Sequence, residues 1–351
     1  MRRYQPLLLI TFFLLVIIIT SSTYLSSYAG KQTPESLKSI TVYTTLPIEQ
    51  LSILAQEYER TQNVRINLLP LAEQDLLDRI KLKNTEANAD IIIADHKVLE
   101  QARKNNTLLP YTSEQIDIIP ERFKDENNYW TGLWYDPIVF AANQDFLKTM
   151  PKMPSKWNDL IQDNKYRLCI TDFLAAEASA HLLYTLIAVH GETETFGYFK
   201  KMHPQIVQYA KFLATPVRMV GMGEADIAIA TQSETMRYIH NNFPIKVIYP
   251  EDGTSFLLTG IGLAVGTQHE SDAKQFIDWL LQDAAQNILA KNNFYFIPTN
   301  PETLIYRNYG TKNIVLLDNK EIYTSEQKNQ LLDKWVKTVR LAPKEKIVNN
   351  L

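Results

Sequence analysis

The stretch from Ile245 to Leu289 constrains this chain more than any other. Ile245, Val247 and Tyr249 keep the two-residue period of a β-strand. Pro250 stops that strand, and Glu251-Asp252-Gly253-Thr254 supplies turn chemistry. A second strand is expected from Leu257 to Val265, with glycines at 260 and 262. Ser271 suits a helix N-cap and Asp272 an acidic first turn. From Ala273 through Phe276, Ile277, Leu280, Leu281, Ala284, Ala285 and Ile288 to Leu289, apolar residues hold one helical stripe, predicting a single helix.

Upstream, strands alternate with helices. Ile40–Thr44, Val64–Leu69 and the wholly apolar core of Asp90–Ala94 read as strands, with helices after the first two of them. Such alternation predicts parallel pairing through right-handed crossovers. Further strands are expected at Ile138–Asn143, Arg167–Thr171 and Ile206–Tyr209, and a long apolar helix at about Ala175–Val189. In Pro154-Ser-Lys-Trp-Asn-Asp-Leu160, Ser155 is expected to cap a helix that Trp157 and Leu160 anchor. Tyr111-Thr-Ser-Glu-Gln115 recurs at Tyr323–Gln327, and Thr-x-x-Gln suits a capping box in both copies.

Taken together, Tyr249-Pro250, Gly253-Thr254, Ala273-Lys274, Phe276-Ile277-Asp278, Leu280-Leu281 and Ala285-Gln286 resemble the return crossing of the extracellular solute-binding proteins of ABC importers. The similarity is to the branch that holds ferric-ion, thiamine, phosphonate and polyamine binders. Pro154–Leu160, Val220–Ala230 and Phe294–Pro298 resemble further segments of that family, so the likeness spans roughly residues 40–300. It implies an α/β type II periplasmic-binding-protein fold, two lobes joined by crossover segments near 135–143 and 249–258. One lobe is expected from 38–138 and 256–300, the other from 139–255, with 301–351 a C-terminal helical region. Lobe closure over a small-molecule or ion ligand, and delivery to a membrane permease with its ATPase, are also implied. A ligand-sensing ectodomain anchored in the membrane is the alternative.

Composition fits this and excludes other classes. With 36 Lys and Arg against 39 Asp and Glu the net charge is −3. Without Arg2 and Arg3 the balance is 34 against 39, or −5, so no nucleic-acid partner is expected. Met1–Ala29 has a basic start, an apolar run and a small-x-small end at Ser27-Tyr28-Ala29, the pattern of a cleaved signal peptide. Residues 7–25, if retained, would anchor the chain. A periplasmic or extracellular monomer is expected. Cys169, the only cysteine, excludes an intrachain disulfide and reads as a buried strand residue. No hydrolase nucleophile elbow, phosphate loop or zinc-helix motif occurs, so neither enzyme activity nor a cofactor is expected.

In a two-lobed α/β protein the ligand lies where loops at the carboxyl ends of strands face one another. The candidate binding residues are Thr44, Thr45, Asp95, Tyr135, Asp136, Glu177, Ser179, Arg218, Thr231, Gln232 and Thr254. Hydroxyls and Arg218 would suit an anion; Asp136, Glu177 and aromatic walls would suit a polyamine. The resemblance implies a tyrosine pair after Ala230 in ferric binders. Here Thr231-Gln232 follows, so no tyrosinate metal site is expected, and the ligand stays open between these classes.

Overall fold

The computed structural model describes residues 38–82, 88–162, 166–318 and 323–344, so the expected signal or anchor segment lies outside them. Eleven strands are described: β1 (Lys38–Thr44), β2 (Val64–Pro70), β3 (Ile91–Asp95), β4 (Leu108–Leu109), β5 (Thr131–Asn143), β6 (Leu168–Thr171), β7 (Ile206–Ala210), β8 (Ile227–Thr231), β9 (Ile245–Ile248), β10 (Phe256–Ala264) and β11 (Ile297–Pro298). The longer helices are α1 (Ile48–Gln62), α2 (Glu73–Lys81), α3 (His96–Lys104), α4 (Glu177–His190), α5 (Glu192–Met202), α6 (Ala214–Gly221), α7 (Gln232–His240), α8 (Glu270–Leu280), α9 (Asp283–Lys291) and α10 (Ser325–Trp335).

The strand order β2-β1-β3-β10-β5-β8-β6-β7 divides within β5. Residues 131–137 of β5 pair with β10, while 138–143 pair with β8 and β9. The division falls at Pro137, which has no N–H to give to a ladder. Leu133 and Trp134 enter one apolar core with Ile40, Ile92, Leu99 and Phe276. Ile138 and Phe140 enter another with Leu168, Phe173, Leu183 and Ile227. Two α/β lobes result, and β5 is one of the connections. The second runs from β9 to β10 through the Pro250–Gly253 turn, where Gly253 has φ +98°. Within β10, Gly260 is required by proximity: a Cβ there would meet Leu99 Cδ1 at 2.8 Å and the Thr131 carbonyl at 2.9 Å. Gly260 therefore lets helix α3 and strand β5 approach β10 closely.

Four local expectations change. The aromatic run before Ile138 belongs to the strand itself, because all of β5 is buried and so tolerates no polar alternation. The helix expected to reach Leu289 breaks after Leu280, and Gln282 is extended. Carbonyls freed by the break are taken by Gln286 Nε2 on Leu280 (2.7 Å) and Asn300 Nδ2 on Leu281 (2.8 Å). Asp159, rather than Ser155, caps the Trp157 turn by accepting the Ser155 and Lys156 N–H groups. Thr324 and Gln327 do form a capping box, but in the first copy Ser113 is the N-cap and its hydroxyl also donates to Asp278 (2.6 Å).

The C-terminal segment is tied to the second lobe. Trp335 is buried among Phe173, Phe199 and Tyr209, with ring centroids at 4.5, 5.6 and 5.5 Å. Arg340 donates to Asp172 at 2.7 Å.

Candidate functional site

Between the lobes lies a cavity of about 40 Å³. Glu73, Asp95, Lys97, Val98 and Gln101 line it from the first lobe, and Glu177, His181 and Tyr184 from α4. Tyr323 and Lys328 close it from the C-terminal segment. A water molecule needs roughly 10–15 Å³ of such space, so any larger solute enters only when the lobes part.

Each wall follows from its element. Asp95 ends β3 and caps α3 by accepting the Lys97 N–H at 2.8 Å. Burial opposes charge on Asp95, but His96, His181 and that N–H outweigh it, holding the carboxyl well below the usual range. Lys328 on α10 reaches Glu177 of the second lobe at 3.1 Å and Glu73 of the first at 3.7 Å. Burial lowers the ammonium's pKa, yet the two glutamates more than reverse that. Lys328 therefore straddles the lobes.

His181 is the residue that sequence reasoning missed. It is 6% exposed, on the face of α4 that also carries Thr185. Its Nδ1 lies 3.1 Å from Ser255 Oγ and 3.4 Å from Thr185 Oγ1, and Ser255 donates onward to Thr185 at 3.1 Å. Nδ1 is thus engaged by two hydroxyls in either tautomer. Nε2 is buried and has no partner. Burial, then Lys97, push the imidazole pKa down to about 3, so the ring is neutral. His96 stands across the gap, ring centroids 6.5 Å apart, and its buried Nδ1 is 3.5 Å from Asp95 without a hydrogen bond. A histidine set in the apolar run from Ala180 to Leu183 was the available signal.

Of the residues expected from sequence, Asp95 and Glu177 line this cavity. Asp136, Thr231 and Gln232 form a separate group beside the hinge. Asp136 accepts from the Ser233 N–H (2.9 Å) and hydroxyl (2.5 Å). Thr231 caps α7 and lies 3.3 Å from Ser233 Oγ. Gln232 accepts from Tyr249 OH (2.7 Å) and donates to the Tyr295 carbonyl (3.3 Å), linking the lobes.

The others are committed to structure or to the surface. Thr44 is buried and accepts the Leu46 N–H at 3.0 Å, while half-buried Thr45 gives its N–H to Ile93. Tyr135 is stacked on Phe123 at 5.0 Å. Buried Ser179 has the Ala176 carbonyl at 2.7 Å, and buried Thr254 donates to the Ile138 carbonyl at 2.6 Å. Arg218 is exposed beside the Met222 sulfur.

Comparison with known proteins agrees with this geometry. The family described as bacterial extracellular solute-binding protein matches residues 86–310. Iron uptake protein A1 of Synechocystis is 23% identical over 75% of this chain and 77% of its own length. A probable ABC transporter periplasmic-binding protein of Sinorhizobium fredii is 22% identical over 88% and 87%. The periplasmic binding protein AfuA from Actinobacillus pleuropneumoniae, solved with fructose-6-phosphate bound, superposes with a TM-score of 0.67 at 24% identity. That match covers 88% of this chain and 100% of AfuA. Two lobes hinged through β5, a lined gap between them and a family match over most of the chain lead to one conclusion: the protein belongs to the bacterial extracellular solute-binding proteins.

Proposed function

We propose that the protein is the extracytoplasmic binding component of an ABC importer, and that its ligand is a small organic solute rich in N–H or O–H donors. The observation that carries the ligand class is His181. His181, neutral and with its buried Nε2 unpartnered, lines the gap beside the Asp95, Glu73 and Glu177 carboxylates. An unpaired buried polar atom costs about 1–3 kcal/mol, so a ligand group that pairs Nε2 is favoured, and the three carboxylates beside it call for N–H or O–H donors. The fructose-6-phosphate in AfuA is such a donor-rich solute. The name of the Sinorhizobium relative supports the importer role, and a permease with its ATPase is the partner. Iron by the tyrosine route gains no support, because Gln232 is fully buried and engaged with Tyr249 and Tyr295. Lobes at 38–138 with 256–300 and at 139–255, a monomer, and removal of Met1–Ala29 are parts of the same proposal.

Native mass spectrometry of protein from its own host identifies the co-purifying solute. Calorimetry with that solute should then show His181→Ala weakening binding by about tenfold, equivalent to 1.4 kcal/mol. An unchanged affinity would refute the assignment of this cleft.

A further inference from the structure

Within the second lobe is a larger cavity of about 380 Å³ that the transport reading leaves unused. Trp157, Leu186 and Tyr198 give it apolar and aromatic walls, Thr195 lines it, and Glu194 and Asp252 stand at its exposed rim. No lysine or arginine lines it; Asn158 and the exposed His190 complete the lining. Thr195 is 3% exposed and its Oγ1 has no hydrogen-bond partner. A helical threonine commonly returns its hydroxyl to the carbonyl four residues back, and this one does not. Three polar groups of the walls are engaged: Trp157 Nε1 donates to the Gly253 carbonyl (2.8 Å), Tyr198 OH to the Trp157 carbonyl (2.7 Å), and Asp252 accepts the Trp157 N–H (3.1 Å).

We propose that this cavity is a second ligand site, for a small organic cation with an aromatic or aliphatic body and an ammonium head. The volume is in the range of small-molecule sites. Two rim carboxylates and two aromatic rings favour positive charge, and the Thr195 hydroxyl fixes one hydrogen-bonding group. The site touches the Asp252–Gly253 turn between the lobes, and its wall residue Leu186 shares α4 with His181. An occupant would brace the turn against the helix that forms the cleft wall.

The test uses the full-length mature protein, ¹⁵N-labelled at tryptophan, with phenethylammonium as probe and phenylacetate as a control of the same body and opposite charge. Trp157→Phe assigns the Trp157 indole resonance. Phenethylammonium should shift it saturably, with phenylacetate at least about tenfold weaker. Thr195→Val and Glu194→Gln should each weaken the cation several-fold, and Leu186→Phe, which fills the cavity, should abolish the shift. Thermal melts identify any variant that fails to fold; Glu194→Gln, at an exposed position, carries the test if the core variants do. Equal binding of both ions, no saturable shift, or a full shift in folded Thr195→Val and Glu194→Gln overturns the proposal.

Discussion

Replacing Asp136 by Asn should make the protein more stable at alkaline pH and leave it little changed in acid. Asp136 is 5% exposed at the centre of β5, one residue before the point where the sheets part. Burial pushes its carboxyl from 3.8 up to about 7; the Ser233 hydrogen bonds oppose this and Glu234 adds to it. The unfolded chain loses this proton near pH 4, whereas the folded chain keeps it to about pH 7. Between those values the folded state holds more protons, so stability present below pH 4 is lost as pH rises through 7. A difference of about 3 units at 1.36 kcal/mol each gives a cost on the order of 4 kcal/mol above neutrality. Asn cannot ionise and can still accept the Ser233 N–H. Urea unfolding of both proteins across the range about pH 4 to 8 isolates the effect as their difference, since all other groups cancel. The variant should gain progressively as pH rises, by on the order of 1–4 kcal/mol at the alkaline end. Parallel stability curves, or a carboxyl ¹³C resonance of Asp136 that titrates near 4, would refute the reasoning.

Other outcomes are as definite. Trp335→Ala should cost about 3–5 kcal/mol in urea unfolding, because the ring is 1% exposed among Phe173, Phe199 and Tyr209; a loss below about 1 kcal/mol would mean the C-terminal segment is not docked as described. Lys328→Ala removes the cation between Glu73 and Glu177, so small-angle scattering should show a larger ligand-free radius of gyration, and an unchanged radius counts against the strut. Ferric titration should give no intense visible charge-transfer band, since Thr231 and Gln232 follow Ala230; a strong band lost on a cleft tyrosine-to-Phe change would reverse this. N-terminal sequencing of the exported protein should begin at Gly30, and recovery of Met1 in a membrane fraction would establish the anchor.

Sequence alone determined the elements whose cause is local. Ile245, Val247 and the Pro250–Gly253 turn lead into β10 because periodicity, a missing proline N–H and a glycine at positive φ act within a few residues. Cys169 was legible as a strand residue for the same reason, and it is fully buried. The lobes follow from alternating strands and helices together with the family resemblance. The tertiary structure alone decided what depends on partners distant in the chain. Thr324 and Thr112 sit in identical pentapeptides, yet only Thr324 forms the box, because Ser113 meets Asp278 from another helix. The break after Leu280 needed Asn300, and β5 takes one strand into two sheets through neighbours at both ends. His181 reads as a polar residue within a largely apolar helix. It becomes a neutral cleft residue with one unpartnered nitrogen only when Ser255, from the returning crossover, engages its other nitrogen and Lys328, from the C-terminal helix, closes the gap, because long-range packing fixes a buried group's charge and orientation.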